Sequence, residues 1–181
     1  MPDRIAVVPY DPEWPALFRQ LGAALRGVLG DTALRIDHIG STSIPGLAAK
    51  PIIDIQISVA GFDPLEAFRV PIESLGFIFR ASNPDLTKRY FRETPGERRT
   101  HIHVRRAGSW PEQFALLFRD YMRTHDEDAK RYAEIKYHLA QQYGEDRHGY
   151  TDAKGPFIWE IMIKADRWNQ SIGWSPGPSD T

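Results

Sequence analysis

The feature that most constrains the fold is a strict alternation of apolar and polar side chains over residues 53–59. Successive side chains of a β-strand point to opposite faces of a sheet, so the pattern predicts a strand with one buried face and one polar face. The apolar set is Ile53, Ile55, Ile57 and Val59, and the polar set is Asp54, Gln56 and Ser58. Asp54 is therefore a carboxylate on the polar side of a sheet, where it is available for chemistry.

Other segments show the periodicity of helices and strands. The predicted order is a helix between Pro12 and Gly30, strands at 34–39 and 53–59, a helix at 64–75, strands at 77–79, 88–92 and 100–105, and helices through 114–122, at 126–143 and after Pro156. Ser109 and Glu112 form the S-x-x-E pattern of a capping box, which predicts the start of the helix through 114–122. This order predicts an α+β, or mixed-sheet α/β, domain with flanking helices and further helices near the C-terminal end.

Length and composition set the remaining limits. The chain has 181 residues, a formal net charge of -1 and no cysteine. We expect one domain at residues 1–168 and a flexible tail at 169–181. The small net charge argues against dedicated nucleic-acid binding, and no apolar run approaches the roughly 20 residues of a membrane span. Without cysteine or a signal-peptide pattern, a cytoplasmic protein without membrane contact is expected.

A loop of small and turn-forming residues, which we call the glycine loop (residues 40–46), precedes the alternating strand. Gly40 lets the backbone approach an anion closely, and the hydroxyl and N–H groups of Ser41 and Thr42 can donate hydrogen bonds to a phosphate. Lys50 adds positive charge, and Asp54 can hold a divalent cation that bridges substrate phosphates. From the residue types alone, a plain turn followed by a solvated carboxylate explains the stretch equally well.

Two histidines, His101 and His103, alternate with Ile102 and Val104 on another predicted strand. Both imidazoles therefore point to the same face. Because imidazole is a softer ligand than carboxylate, a metal site built from them favours Zn²⁺, Mn²⁺, Fe²⁺ or Ni²⁺ over Mg²⁺. The alternative interpretation is a pair of surface or hydrogen-bonded histidines.

Four further basic residues are candidates for phosphate contacts, namely Lys88, Arg89, Arg105 and Lys154. The first three flank the histidines in a predicted hairpin, where alternate side chains point away from any one cleft. Lys154 precedes the last predicted helix, where it can meet an anion at the helix start or lie exposed in a loop.

The stretch I-G-S-T-S-I-P-G-L-A-A-K-P-I-I-D-I-Q-I, residues 39–57, resembles the signature of the nucleotidyltransferase superfamily, in which Gly and Gly or Ser precede an acidic strand. More narrowly, it looks like the hallmark of the GrpB-like family, and this resemblance covers almost the whole chain. The supporting segments are V-P-Y-D-P-E-W at 8–14, H-I-H-V at 101–104 and A-K-G-P-F-I at 153–158. One departure is Gln56, which stands where nucleotidyltransferases usually carry a second acidic residue.

The resemblance implies a metal-dependent nucleotidyltransferase that acts on a nucleoside triphosphate, or on another phosphate-containing small molecule, and an unknown acceptor. Asp54, His101 and His103 would bind the metal or act in catalysis. The phosphate contacts would come from Gly40, Ser41, Thr42, Lys50, Gln56, Lys88, Arg89, Arg105 and Lys154. Mg²⁺ or Mn²⁺ is the expected ion, with Zn²⁺, Fe²⁺ or Ni²⁺ as alternatives.

Two other hypotheses remain open. A non-catalytic nucleotide-binding or regulatory module would keep the cleft without the second acid that Gln56 replaces. A metal enzyme of another kind would use Asp54, His101 and His103 as a 2-His-1-carboxylate site. Turnover and metal identity separate these hypotheses.

Overall fold

The computed structural model describes residues 4–181. The strands are β1 Arg35–Ile39, β2 Ile53–Val59, β3 Phe77–Phe79, β4 Lys88–Glu93 and β5 Thr100–Arg106. The helices are α1 Trp14–Leu29, α2 Glu66–Ser74, α3 Trp110–Thr124, α4 Asp126–Tyr143, α5 Arg147–Ala153 and α6 Gly155–Ile172, with 3-10 turns at Gly30–Thr32 and Ser41–Ser43. Within residues 4–181, no helix is both long and apolar enough to cross a bilayer.

The strands form one mixed sheet in the order β1-β2-β5-β4-β3. β2 and β5 are parallel, whereas β1 and β2, β4 and β5, and β3 and β4 pair in antiparallel fashion. Parallel neighbours need a long connection, and here α2, β3 and β4 lie between β2 and β5 in the chain. The predicted α+β class with a mixed sheet is confirmed.

The register between β2 and β5 determines which polar side chains meet. Asp54 lies opposite His101, and Gln56 lies opposite His103. On the other side of β5, Tyr90 of β4 lies opposite His103. Because opposed residues of neighbouring strands point to the same face, the polar residues of three adjacent strands share one surface.

The apolar face of the sheet packs against α1 and α2. Its fully buried members include Ile55, Ile57, Phe91, Ile102 and Val104. Complete burial of one such side chain contributes roughly 1.5–3 kcal/mol relative to exposure. This face therefore fixes the strands that carry the polar residues.

A second buried cluster joins α3, α4 and α6 to the glycine loop on the polar side of the sheet. Ile44 and Leu47, in and just after the loop, pack with Leu117 of α3 and Ile161 of α6. The glycine loop is thereby held between the sheet and the C-terminal helices, which is the place where the candidate site forms.

The start of α3 differs from the predicted capping box. Ser109 is the N-cap residue, but its side chain makes no capping hydrogen bond. The Glu112 carboxylate instead accepts hydrogen bonds from the Gly108 N–H, at 2.6 Å, and from the buried Ser58 hydroxyl. α3 lies against the polar face of the sheet, so Glu112 pairs with a strand hydroxyl rather than with its own cap.

The C-terminal end also differs from the predicted boundary at residue 168, because α6 continues to Ile172. The residues that follow contact β1. Ser179 Oγ accepts a hydrogen bond from Ile36 N at 2.9 Å and donates one to Ile36 O at 3.0 Å, and Asp180 accepts one from His38 N at 2.8 Å. The tail therefore satisfies backbone groups on the outer edge of the sheet.

Candidate metal and phosphate site

Asp54, His101 and His103 bring three potential ligand atoms together on the polar face, in what we call the Asp–His cluster. Asp54 Oδ1 lies 3.2 Å from His101 Nδ1 and 3.3 Å from His103 Nε2. One ligand atom from each residue lies within 4.8 Å of the other two. All three side chains are partly exposed, so a ligand from solvent can reach them.

The spacing of the Asp–His cluster fits a single divalent ion. Nitrogen and oxygen ligands stand about 2.0–2.2 Å from Zn²⁺, so two ligands are about 3.0 Å apart at an octahedral angle and about 3.4 Å apart at a tetrahedral one. The separations of 3.2 and 3.3 Å lie between those two values. With two imidazoles among three donors, the residues suit a transition metal better than Mg²⁺.

Gly40 lies directly beside the Asp54 carboxylate. Its φ of +71° belongs to a region that side-chain-bearing residues rarely adopt, and a Cβ added there would lie 2.7 Å from Asp54 Oδ2. Any other residue would strain the backbone and displace the carboxylate. The glycine is therefore required both by the turn and by the position of Asp54.

The pKa shifts of Asp54 and His103 bear on metal binding. Burial acts to raise the pKa of Asp54, but its hydrogen bonds and Coulombic attraction to His101 and His103 outweigh burial and hold the pKa well below the usual value. Burial lowers the pKa of His103. The two shifts favour an ionised carboxylate and an unprotonated imidazole, which are the forms that bind metals.

Tyr90 borders the Asp–His cluster from β4. Its ring centroid lies 5.6 Å from that of His101 and 5.2 Å from that of His103. Burial raises the pKa of Tyr90 to about 12, so its hydroxyl stays protonated at neutral pH. The ring limits the orientations that the two imidazoles can adopt, which helps to keep them aimed at Asp54.

A cavity of about 170 Å³, which we call the lysine cavity, opens beside Asp54 and the glycine loop. Its lining consists of Gly40, Ser41, Thr42, Lys50, Ile52, Asp54, Tyr132, Lys136, Tyr150 and Lys154. Asp54 is the one carboxylate among these residues, against three lysines. The cavity is therefore a positively charged space next to a candidate metal ligand.

The three lysines are held in the cavity by aromatic rings and by a carbonyl. Lys136, which is 2% exposed, donates a hydrogen bond to the Ala48 carbonyl and lies 4.5 Å from the Tyr132 ring centroid. Lys50 and Lys154 each lie 4.7 Å from the ring centroid of Tyr150. Such cation–π contacts hold an ammonium group without neutralising it.

Burial and the neighbouring ammonium groups both lower the pKa values of two of these lysines. Burial, followed by the charges of Lys154 and Lys50, lowers the pKa of Lys136 to about 7. Burial and Lys50 lower the pKa of Lys154 to about 8, against the opposing effect of Asp54. A bound anion would stabilise the protonated forms and reverse these shifts.

Two hydroxyls of the glycine loop occupy different positions. Ser41 lines the lysine cavity together with Tyr132. The Thr42 hydroxyl donates to the Ile52 carbonyl at 2.9 Å and lies 3.0 Å from His38 Nε2. Ser41 is therefore available at the wall of the cavity, whereas Thr42 mainly ties the loop to the segment that leads into β2.

The other predicted phosphate contacts lie outside the lysine cavity. Gln56 is fully buried, and its Nε2 donates to the backbone carbonyl of Glu112 at 3.3 Å. Lys88 and Arg105 share the face of His103, but both lie near Asp85, at 3.7 and 4.0 Å. Gln56 thus points toward α3, and the two cations lie on the far side of the Asp–His cluster.

Arg89 requires a correction, because the structure places it behind the sheet. It lies opposite Val104 in the ladder, so its side chain shares the apolar face. Its guanidinium carbon lies 4.2 Å from the ring centroid of Phe62. Arg89 does not belong to the site around Asp54.

Sequence reasoning missed Lys136, Tyr132, Tyr150 and Tyr90. A signal for Lys136 exists in the helical period of α4, where Ala129, Tyr132, Lys136 and Ala140 form the buried stripe. A lysine on such a stripe needs a partner or a polar cavity, since charged residues are almost never buried without one. No comparable local pattern marks Tyr150, which belongs to the short helix α5.

The fold is that of nucleotidyltransferases. The Cid1 poly(U) polymerase superposes with a TM-score of 0.53 over 74% of this chain and 43% of that chain, at 11% identity. At this low identity, the likeness concerns the fold alone. The glycine loop leading to Asp54 on an inner strand of the mixed sheet agrees with this class.

The family follows from closer matches. The crystal structure of the conserved protein GrpB from Enterococcus faecalis superposes with a TM-score of 0.80 and is 32% identical, covering 90% of this chain and 99% of that chain. A UPF0157 protein of Pseudomonas aeruginosa is 42% identical over 168 residues, or 90% of this chain and 68% of its own length. The family model described as GrpB protein matches residues 4–164. The chain belongs to the GrpB family, and the resemblance seen in its sequence is confirmed.

Proposed function

We propose that this protein is a metal-dependent nucleotidyltransferase that binds the triphosphate of a nucleotide in the lysine cavity. The observation that carries the proposal is the junction of three lysines, the glycine loop and Asp54 in one cavity. A triphosphate carries several negative charges. Clustered ammonium groups in a partly desolvated space attract these charges more strongly than they would in water.

Each residue has a defined role in this proposal. Lys50, Lys136 and Lys154 neutralise the phosphates, and Ser41 donates a hydrogen bond from the cavity wall. Asp54, His101 and His103 would hold one divalent ion, which when bound supplies charge stabilisation for the phosphate oxygens. Gly40 has no Cβ, so it leaves room for the Asp54 carboxylate and lets the backbone approach the phosphates.

In the proposed reaction, an oxygen atom of the acceptor attacks the α-phosphorus of the nucleotide and forms a new P–O bond. The bond from the α-phosphorus to the bridging oxygen of the β-phosphate breaks, and pyrophosphate leaves with the electron pair. The proton of the acceptor oxygen passes to solvent. The lysines stabilise the charge that develops on the leaving pyrophosphate.

A second candidate is a nucleotide-binding module without turnover, and the position of Gln56 favours it. Gln56 replaces the second acid of the superfamily, is fully buried and points toward Glu112. Among residues 4–181, Asp54 with the two histidines is the one group of three or more potential ligands that lie close enough together to share an ion. A nucleotide that binds with metal but releases no pyrophosphate under any acceptor condition would favour this candidate.

The same ligand set occurs in 2-His-1-carboxylate metal enzymes. The lysine cavity beside Asp54 supports the phosphate-binding interpretation instead, because such cations have no evident use in chemistry on a neutral organic substrate. Metal analysis after purification and nucleotide binding together separate the two, since only the phosphate-binding function needs the lysines.

The binding test is calorimetric titration of the protein with ATP, GTP, CTP and UTP, each with Mg²⁺, Mn²⁺ or Zn²⁺. We expect metal-dependent binding of at least one nucleotide, weakened about tenfold or more by Lys136→Met, since a hydrogen bond to a charged group contributes about 1.5–3 kcal/mol. Lys130→Met is the matched control, because Lys130 is an exposed residue of the same helix. Absence of binding for every nucleotide and metal pair would refute the proposed function.

A further inference from the structure

A second cationic cavity, which we call the arginine cavity, lies next to the Asp–His cluster. Its volume is about 230 Å³. Its lining consists of Arg4, Ile5, Ala6, Lys50, Pro51, Ile52, Arg92, Arg99, His101 and Arg147. These residues come from the N-terminal segment, the approach to β2, β4, the start of β5 and α5. The cavity is therefore built by tertiary packing and not by one local charge run.

The two cavities meet at the candidate metal site. Lys50 and Ile52 line both of them. Asp54 lines the lysine cavity, whereas His101 lines the arginine cavity. Since Asp54 and His101 are 3.2 Å apart, ligands in the two adjacent cavities would both approach the same ion or reacting centre.

The charge of the arginine cavity is positive and fixed in place. None of its ten lining residues in the described part of the chain is acidic. Glu93 lies just outside, 2.6 Å from Arg92 and 3.4 Å from Arg99. One carboxylate thus orients two guanidinium groups, and Arg4 and Lys50 add further positive charge to the lining.

Guanidinium groups indicate the chemistry of the ligand. Arginine binds phosphate and carboxylate in a planar, bidentate fashion, and several arginines around one small space favour a dianion over a singly charged group. The volume is below the roughly 300–1,000 Å³ of a typical ligand pocket, so it suits a phosphate group with a short attached segment.

We propose that the arginine cavity binds a phosphate monoester carried by the acceptor and so places the attacking oxygen beside the Asp–His cluster. This inference rests on the proposed nucleotidyl transfer and adds the class of its second substrate, a small phosphorylated molecule. The lysine cavity then takes the nucleotide, the arginine cavity takes the acceptor, and Lys50 touches both anions.

The test separates the two cavities by substitution and uses glycerol 3-phosphate as the probe, with glycerol and succinate as neutral and carboxylate comparisons. Calorimetry is first performed on a Lys136→Met/Lys154→Gln variant, in which the lysine cavity is weakened. We expect the phosphate probe to bind this variant, glycerol to give no binding, and succinate to bind more weakly than the phosphate probe.

Adding Arg99→Gln to that variant should weaken binding of the phosphate probe by about tenfold or more, the loss expected for a charge-assisted contact. Arg98→Gln is the matched control, because Arg98 is the exposed neighbour and lines neither cavity. Arg99→Lys keeps the positive charge but loses the paired N–H donors of the guanidinium group, so its affinity for the phosphate probe should lie between those of the Arg98→Gln and Arg99→Gln variants. Circular dichroism and thermal melts establish that each variant is folded, and a double variant, Arg4→Gln/Arg92→Gln, tests the same cavity from other elements.

The outcomes distinguish failure of this inference from failure of the nucleotide proposal. Probe binding that Arg99→Gln and the double variant leave unchanged overturns the arginine cavity as a site. Probe binding in the wild type that a nucleotide displaces competitively makes the cavity part of the nucleotide site and overturns the acceptor assignment. Probe binding that depends on Arg99 in a protein that binds no nucleotide upholds the phosphate site, while the proposed nucleotidyl transfer fails.

Discussion

The two faces of the sheet are built from the same strands, but one buries apolar side chains and the other carries charged groups. On the apolar face, Ile55 and Ile102 are fully buried against α1 and α2. On the polar face, one end is neutralised, since Asp37 pairs with Arg35 at 2.9 Å and with Arg119 at 3.6 Å. At the other end, the lysine cavity holds one buried and two partly buried lysines beside the single carboxylate of Asp54.

The charged groups of the polar face fall into two kinds, those paired with an opposite charge and those without one. A buried charge that faces an opposite charge recovers part of its desolvation cost, whereas a buried charge without an opposite charge has its pKa shifted. Asp37 and Arg119 are examples of the first kind. Lys136, with its pKa lowered to about 7, is an example of the second. Perturbed groups of this second kind concentrate at binding and catalytic sites.

The largest expected effect lies on the apolar face. Phe91→Ala removes a fully buried ring from the core of β4, and we expect a loss of about 3–5 kcal/mol in the free energy of unfolding. Urea titration followed by circular dichroism measures it, with Phe91→Leu as a milder control. Nucleotide affinity of the folded fraction should stay unchanged, and a selective loss of affinity would contradict the division between the faces.

The second largest effect is expected on the polar face, where a substitution should change ligand binding and leave the fold intact. Asp54→Asn keeps the shape of the side chain but removes its charge, so metal-dependent stabilisation by nucleotide should disappear. In the wild type, that stabilisation is about 2.7 kcal/mol when the ligand stands at 100 times its dissociation constant. Thermal melts with and without Mn²⁺ and nucleotide measure it. A variant that retains the full metal-dependent shift would show that the ion binds elsewhere.

Lys136 gives the third prediction, which concerns pH. Its pKa is about 7 in the folded protein, whereas a lysine in an unfolded chain has a pKa of about 10.4. Between these values the unfolded chain binds more protons, so the unfolding free energy should rise with pH by at most about 1.4 kcal/mol per pH unit from this group. Below pH 7 the ammonium is protonated in both states, and its burial opposes folding.

Lys136→Met should remove this contribution. The variant should be more stable than the wild type at pH 6, and the difference should shrink as the pH rises from about 7 to 9. Urea titrations at pH 6, 7, 8 and 9 measure it, with Lys130→Met as the exposed control. Parallel stability curves for Lys136→Met and the wild type would mean that the ammonium is not desolvated.

Strand periodicity was sufficient to predict part of the candidate site. The alternation in β2 and β5 predicts that Asp54, His101 and His103 share a face once the strands are neighbours, and the structure places them together. Their role in metal binding stays a prediction. The glycine loop follows from residue types, but only the structure gives the contact between Gly40 and Asp54.

The rest depends on packing between distant segments. Lys136 and Tyr150 reach the cavity only because α4 and α5 fold back over the glycine loop, and no local pattern states that approach. The faces of Lys88 and Arg89 depend on the register of β4 against β5, which the intervening loop does not fix. Strand alternation allows only one of these two neighbours to share the face of His103, and the observed register makes it Lys88.

The smallest expected effect is on nucleotide affinity and tests the register of β4 against β5. It compares Lys88 and Arg89, two neighbouring cations on opposite faces of the sheet. Lys88 shares the face of His103, and its charge contributes to lowering the pKa of that imidazole. Lys88 Nζ also lies 3.7 Å from Asp85, which screens part of its charge. We therefore expect Lys88→Gln to weaken metal-dependent nucleotide binding by a few-fold, as for a charge whose interaction is worth under about 1 kcal/mol.

Arg89→Gln is the control, because it removes the same charge behind the sheet, where the guanidinium stacks on Phe62. It should leave nucleotide affinity unchanged and affect only stability. Calorimetric titration of both variants at low ionic strength, where such charges are least screened, gives the comparison. Equal losses from the two substitutions would mean that long-range charge, rather than the face of the sheet, governs nucleotide binding.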